Sequence, residues 1–161
     1  MATVPSEEQT LHLDEKDYEI LRLLQDDAKL TVREVAEKIH LSATPTHDRI
    51  KRLEKLKVIR KYAALIDNRK VNRPLTVLCQ VSLRDHDKKT AQEFVSAVVA
   101  LKEVIACYNI SGEYDFMLKI VAESMESYHN FFIRYISGIN GIGQTKSAFV
   151  MDVIKETHEV I

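Results

Sequence analysis

The stretch LTVREVAEKIHLSATPTHDRIKRLEKLKVIRKY, from Leu30 to Tyr62, leaves this chain few ways to fold, because two helix starts lie in it with only a tight turn between them. Thr31 followed by Glu34 has the spacing of a capping box, in which each side chain satisfies a backbone N–H that the first turn leaves open, and Leu30 with Val35 has the spacing of a hydrophobic staple. Val35, Ala36 and Ile39 then fall on one helical face. His40 and Leu41 form a break, and Ser42 is placed to cap a second helix. Pro45 takes the third position of that helix, where its missing N–H has no intrahelical partner to lose. Ile50, Leu53 and Leu56 recur at helical spacing and are expected to bury against the first helix. Thr44, His47, Asp48, Lys51, Arg52 and Lys55 are left facing outward.

Charge gives that outward face a meaning. From Ser42 to Lys61 seven Lys or Arg stand against two acidic residues, whereas from Met1 to Leu41 five stand against ten. The whole-chain charge of −1 hides this asymmetry. A basic run on its own is better explained by a solvated amphipathic helix. Two capped helices around a short turn instead match a helix-turn-helix, whose partner is double-stranded DNA.

Upstream, Met1 to His12 is polar and aperiodic, which predicts a flexible tail over residues 1–12. Asp14 is expected to cap an earlier helix with Ile20, Leu21 and Leu24 on its buried stripe, running up to Ala28, so a three-helix unit spans 13–62. Val58 to Ile66 reads as an extended segment, and the turn-rich residues 63–74, with Asn72, Arg73 and Pro74, read as a hinge. Beyond it, Leu75, Val77, Cys79, Val81 and Leu83 alternate with polar residues in the period of a strand. Ala91, Phe94, Val95, Val98 and Leu101 return at helical spacing. Strands are expected over Val104 to Ile110 and Asp115 to Val121, joined by Ser111 to Tyr114. Met125, Tyr128, Phe132, Tyr135 and Ile139 fit another helix, ended by Gly138, Gly141 and Gly143, and Thr145 to Ile154 a last strand.

The order β-α-β-β-α-β over residues 75–161 is the ferredoxin-like arrangement, with two helices on one sheet face. Leu78, Met117, Val121, Ala148 and Val150 fall on the other face. A second subunit is the expected cover, giving an α+β protein that forms homo-oligomers.

The chain resembles the Lrp/AsnC, or feast/famine, family of transcriptional regulators from Leu13 onward. The residues carrying the resemblance are Leu13-Asp14, Asp17 and Ile20-Leu21; Leu41-Ser42, Arg49-Ile50 and Arg52-Leu53-Glu54; Val58-Ile59 and Tyr62; and Gly112 with Asp115. The resemblance implies a winged-type helix-turn-helix domain followed by a ferredoxin-like domain that dimerises, assembles further to tetramers or octamers, and binds an amino-acid effector. It places that effector beside Ser111, Gly112, Tyr114 and Asp115 and the strand entry at Gln144, Thr145 and Ser147, where a carboxylate and hydroxyls suit an amino acid. Two departures stand out. Lys57 occupies a helix exit where relatives carry Gly, and a left-handed lysine costs about 1 kcal/mol. Asp48 stands where relatives carry a basic residue; it either accepts from cytosine N4 or orders Arg52 one turn on.

Helix-turn-helix proteins read bases with the start of the second helix, which assigns Ser42, Thr44, Thr46 and His47 to base edges. Arg49, Lys51 and Arg52 are assigned to phosphates or to orienting the helix, with Arg49 the more suited to bracing the domain through a carboxylate of the first helix. No catalytic, metal or cofactor site is expected: His12, His40, His47, His86, His129 and His158 lack ligand spacing with Cys79 and Cys107. No apolar run is long enough to span a bilayer, so the expected place is the cytoplasm. The alternatives are an architectural DNA-wrapping protein of low sequence preference, or a small ferredoxin-like enzyme using Asp115.

Overall fold

The computed structural model describes residues 12–85 and 87–161, so the expected tail lies outside the described residues except for His12, as does His86. The chain divides into two compact units. Described residues up to Ala64 group with Lys155–Ile161, and Leu65–Ile154 form the second.

The first unit has three helices: α1 (Glu15–Asp26), α2 (Val32–Lys38) and α3 (Ala43–Lys55). Local chemistry starts each of them. Asp14 and Asp17 form a reciprocal capping box on α1, Thr31 and Glu34 another on α2, and Ser42 is the N-cap residue of α3. Helix α1 ends at Asp26, and the expected extension to Ala28 is absent.

The ends of α2 and α3 are built alike. His40 (φ +56°) and Lys57 (φ +59°) are left-handed. The next amide reaches back five residues, Leu41 N to Ala36 O at 2.9 Å and Val58 N to Leu53 O at 3.0 Å, closing Schellman caps. Lysine therefore takes the conformation that glycine takes more cheaply. Ile20, Leu24, Val35, Ile39, Ile50 and Leu53 make the core. Leu56, expected inside, is 45% exposed. The left-handed Lys57 turns Val58 and Ile59 back onto the core in its place, and the extended segment expected over Val58 to Ile66 forms no strand among the described residues.

The second unit is a four-stranded antiparallel sheet, in order β2-β3-β1-β4, from β1 (Leu75–Leu83), β2 (Val104–Asn109), β3 (Phe116–Ala122) and β4 (Ile142–Phe149). Helices α4 (Lys88–Val99) and α5 (Met125–Phe131) contribute Phe94, Val98, Tyr128 and Phe131 to the same core as Val77, Cys79, Val81, Leu118 and Ile120. The βαββαβ order and the strand β1 match the sequence expectation. Leu78, Met117 and Val121 turn to the opposite face, paired across the ladder with Lys119, Gln80 and Thr76.

Two boundaries differ. Helix α5 runs into a π turn, Phe132–Ile136, with Ser137 N donating to Phe132 O at 2.9 Å. The wide turn breaks the 3.6 period, so Tyr128, Phe131 and Ile136 are buried while Met125 and Tyr135 are exposed. Strand β4 begins at Ile142, paired with Leu83, carries Gly143 as the unpaired residue of a bulge and does not follow it, and ends at Phe149.

Candidate nucleic-acid interface and small-molecule site

Helix α3 presents Thr44, His47, Asp48, Lys51, Arg52 and Lys55 to solvent, as its pattern predicts. His47 Nδ1 lies 3.5 Å from Asp48 Oδ1, with both side chains more than half exposed. Ser42 is exposed and its side chain makes no cap hydrogen bond. The base-edge assignment of Thr46 is corrected. Thr46 is 0% exposed and its hydroxyl donates to Ser42 O at 2.9 Å, so it joins α3 to its own N-cap and faces the core. The signal was in the sequence: Thr46 precedes Ile50 by four residues and Leu53 by seven, which puts it on their stripe.

The arginines of α3 are bound to α1. Arg49 Nη1 donates to Asp14 Oδ2 at 2.6 Å and to Asp17 Oδ1 at 2.9 Å, and Arg52 donates to Asp17 Oδ2. Asp17 is 0% exposed, and its carboxylate also accepts from Asp14 N. A buried carboxylate needs such partners, since an unpaired charge out of water is costly. The Arg49 guanidinium, with help from the Asp17 amide, holds the Asp14 carboxyl below the usual carboxylate range. Arg49 thus braces the domain. Arg52 is ordered by Asp17, which overturns the reading that Asp48 orders it. Lys51 Nζ meets Glu54 Oε2 at 2.8 Å, and Glu54 Oε1 accepts from the Tyr62 hydroxyl at 3.1 Å.

In the second unit the two predicted groups flank one strand end. Asp115 N donates to Val81 O at 3.0 Å, and its Oδ2 accepts from Leu83 N at 2.7 Å, fastening the β2–β3 connection, with Ser111, Gly112 and Tyr114, to the end of β1. Gly112 has φ +118°, a conformation that side chains rarely adopt. On the other side Gln144 N donates to the Ser82 hydroxyl at 3.1 Å, and Thr145 lies opposite Val81. Ser147 is drawn away from this group: it pairs with core-facing Cys79, and its hydroxyl is 2.6 Å from that of Tyr128. Burial pushes the Tyr128 hydroxyl up to about 12 and raises the Cys79 thiol, so this polar pair stays neutral inside the sheet.

A cavity of about 350 Å³ opens between the π turn after α5, the loop that follows it and the start of β4, with Arg84, Phe132, Asn140, Gly141 and Thr145 in its wall. That is within the size range of small-molecule clefts, about 300 to 1,000 Å³. Of the residues expected around an effector, only Thr145 reaches it. Arg84 and Asn140 escaped the sequence reading, although an arginine directly after the alternation of β1 marks a cation at the sheet end. Among the described residues no group of three His, Cys, Asp or Glu side chains could hold a metal ion, and no helix is long and apolar enough to cross a membrane.

Comparison with known proteins agrees with this architecture. Residues 13–60 match the winged helix-turn-helix DNA-binding family and residues 76–160 the Lrp/AsnC ligand binding domain. The DNA-binding transcriptional activator DecR of Escherichia coli is 32% identical over 90% of this chain and 95% of its own. The Bkd operon transcriptional regulator of Pseudomonas aeruginosa is 34% identical over 86% and 91%. Among solved structures, an AsnC family regulator from Agrobacterium tumefaciens superposes with TM-score 0.87 at 37% identity, covering 92% of this chain and 97% of that one. A Neisseria meningitidis transcriptional regulator solved with L-Met gives 0.86 at 33%, covering 91% and 95%.

Proposed function

The chain belongs to the Lrp/AsnC family of DNA-binding transcriptional regulators, and from that premise we propose that it reads a specific DNA sequence in response to an amino acid. Residues 13–62 serve as the DNA-binding domain, 63–74 as a hinge, and 75–161 as the effector-binding and oligomerisation domain of a regulator, not an enzyme, working in the cytoplasm. The observation that carries this is helix α3: its solvent face holds Ser42, Thr44, His47 and Asp48, while two arginines on the same helix fasten it to α1. A rigid helix with polar side chains at its start is what base reading in the major groove requires.

The effector site proposed here lies beside the end of β1, between the connection carrying Ser111, Gly112, Tyr114 and Asp115 and the strand entry carrying Gln144 and Thr145. Asp115 shapes it by holding the connection to Leu83. The L-Met bound to the Neisseria relative supports an amino-acid ligand. The apolar residues Leu78, Met117 and Val121 on the sheet face opposite the helices, and the segment from Arg60 to Ile66, which enters no ladder among the described residues, support a homodimer that assembles to tetramers or octamers. A two-fold dimer calls for half-sites spaced by about 10 bp or its multiples. Because a ligand shifts an equilibrium only by its differential affinity, the effector would act by favouring one assembly over another.

Thermal-shift screening of the twenty amino acids tests this directly, since a ligand at 100 times its Kd stabilises the folded form by about 2.7 kcal/mol. The ligand found is then added to anisotropy titrations with the protein's own promoter region and with random DNA, and to light scattering. Promoter preference and a ligand-dependent change in affinity and oligomer size are expected. Equal affinity for promoter and random DNA, or a monomer at micromolar concentration, would refute the reading.

A further inference from the structure

The seven cations between Ser42 and Lys61 fall into two groups. Arg49 and Arg52 are held by Asp14 and Asp17, and Lys51 by Glu54. Lys55, Lys57, Arg60 and Lys61 are exposed and have no ion-pair partner among the described residues. Resting on the DNA-binding reading above, we infer that these four, and not the arginines of α3, carry the protein's electrostatic hold on the phosphates of duplex DNA.

The physical case starts from what a phosphate meets at each place. At Arg52 it meets a guanidinium already offset by Asp17, and to claim that charge it would have to strip a carboxylate that is 0% exposed of one of its two cations. Such exchange is unfavourable, because the carboxylate left behind cannot be resolvated. At Lys55, Lys57, Arg60 and Lys61 a phosphate displaces only water and mobile counterions, and the released ions drive association.

These four cations also sit on a fixed piece of chain. Lys57 N donates to Glu54 O at 3.0 Å, Val58 N and Ile59 N both donate to Leu53 O at 3.0 and 3.2 Å, and the Val58 and Ile59 side chains pack on the core. Just beyond Lys61, the Tyr62 hydroxyl donates to Glu54, the same carboxylate that pairs with Lys51. The basic segment is thus pinned at both ends against the helix that reads the bases. Cations so placed flank that helix on the phosphate backbone, while Arg49 and Arg52 fix its angle.

Salt dependence separates the two groups. Anisotropy with a random-sequence duplex of about 30 bp, across roughly 50 to 200 mM salt, gives the slope of log K against log salt, near 0.9 per phosphate neutralised. The full-length quadruple variant Lys55→Gln, Lys57→Gln, Arg60→Gln, Lys61→Gln should lose about 3 to 4 units of slope, whereas Arg52→Gln should lose less than about half a unit. Because Arg52→Gln also loosens α1 from α3, Lys51→Gln serves as a second control on an exposed, already paired cation and should likewise keep the slope. A quadruple variant with the wild-type slope, or an Arg52→Gln or Lys51→Gln variant that loses a full unit, would overturn the inference. Wild-type protein that binds no DNA even at the lowest salt would instead remove the DNA-binding reading, and this inference with it.

Discussion

The first unit buries charge, and the second excludes it. Both buried polar residues found among the described residues, Asp17 and Thr46, belong to the three-helix unit. The second unit has thirteen buried residues in one cluster against six in the first. A small helical unit cannot gather enough apolar surface to fix one helix against another, since burial rises with chain length. Asp17 supplies what apolar packing does not: direction. Its carboxylate specifies which face of α3 meets α1, so the units differ in how they respond to salt, pH and side-chain truncation.

The largest expected effect falls in the apolar unit. Phe94→Ala removes a ring that is 0% exposed and lies tilted against Phe116 with centroids 4.8 Å apart, and should cost about 3 to 5 kcal/mol in urea unfolding. Amide exchange should quicken in the sheet but not in α1 to α3. A loss below about 1 kcal/mol would mean that this core does not carry its unit.

Asp17→Asn tests the other side. It keeps the size of the side chain and removes the charge that two arginines share, and should cost about 2 to 3 kcal/mol, less in high salt than in low. Equal losses at both salts would erase the contrast between the units.

Lys57→Gly sharpens it in the opposite direction. Relief of the left-handed lysine should stabilise the three-helix unit by about 1 kcal/mol, seen as a higher Tm, while lowering DNA affinity and reducing the salt slope by about one unit. A change of the same sign in stability and affinity would contradict the role given to its ammonium.

The smallest effect is on pH. Asp14 is held below its ordinary value of 3.8, chiefly by Arg49. Its folded form therefore binds protons less readily than its unfolded form. The stability it contributes is complete above about pH 4 and is lost as pH falls through the depressed folded value. Asp14→Asn should remove that part of the acid sensitivity of α1 to α3, followed by amide exchange between about pH 3 and 6, and leave the sheet unchanged.

What the sequence made legible divides along the same line of local against distant causes. Caps at Asp14 and Thr31 follow from side chains within three residues of the helix start, whereas Ser42 holds the N-cap position without a side-chain cap, and the alternation of β1 is a property of nine consecutive residues. The bracing role of Arg49 was readable because an arginine beside buried Ile50 needs a carboxylate. The polarity of Thr46 points to solvent, but its place on the stripe of Ile50 and Leu53 puts it inside. The site in the sheet unit was harder to read, since hydroxyls in strands look alike until the register is known. Only the register shows Ser147 opposite Cys79 and within reach of the Tyr128 hydroxyl, two pairs further from the end of β1 than Thr145. Arg84 and Asn140 reach one cavity from distant parts of the chain, which no local pattern encodes.

The π turn at Phe132–Ile136 has a consequence for how such chains can be aligned and shortened. A helix advances about 100° per residue, so residues five apart on a plain helix would point about 140° away from each other, which a wide turn corrects. The buried pair Phe131 and Ile136 stand five apart, and the surplus residue is what lets both point inward. A relative lacking one residue between them would hold the same pair four apart on a plain helix, still facing the core, so its loop from Gly138 to Gly141 would leave the helix at the same azimuth. The cavity wall is built from that loop. One residue can therefore be gained or lost in this turn without swinging the pocket wall away from β4.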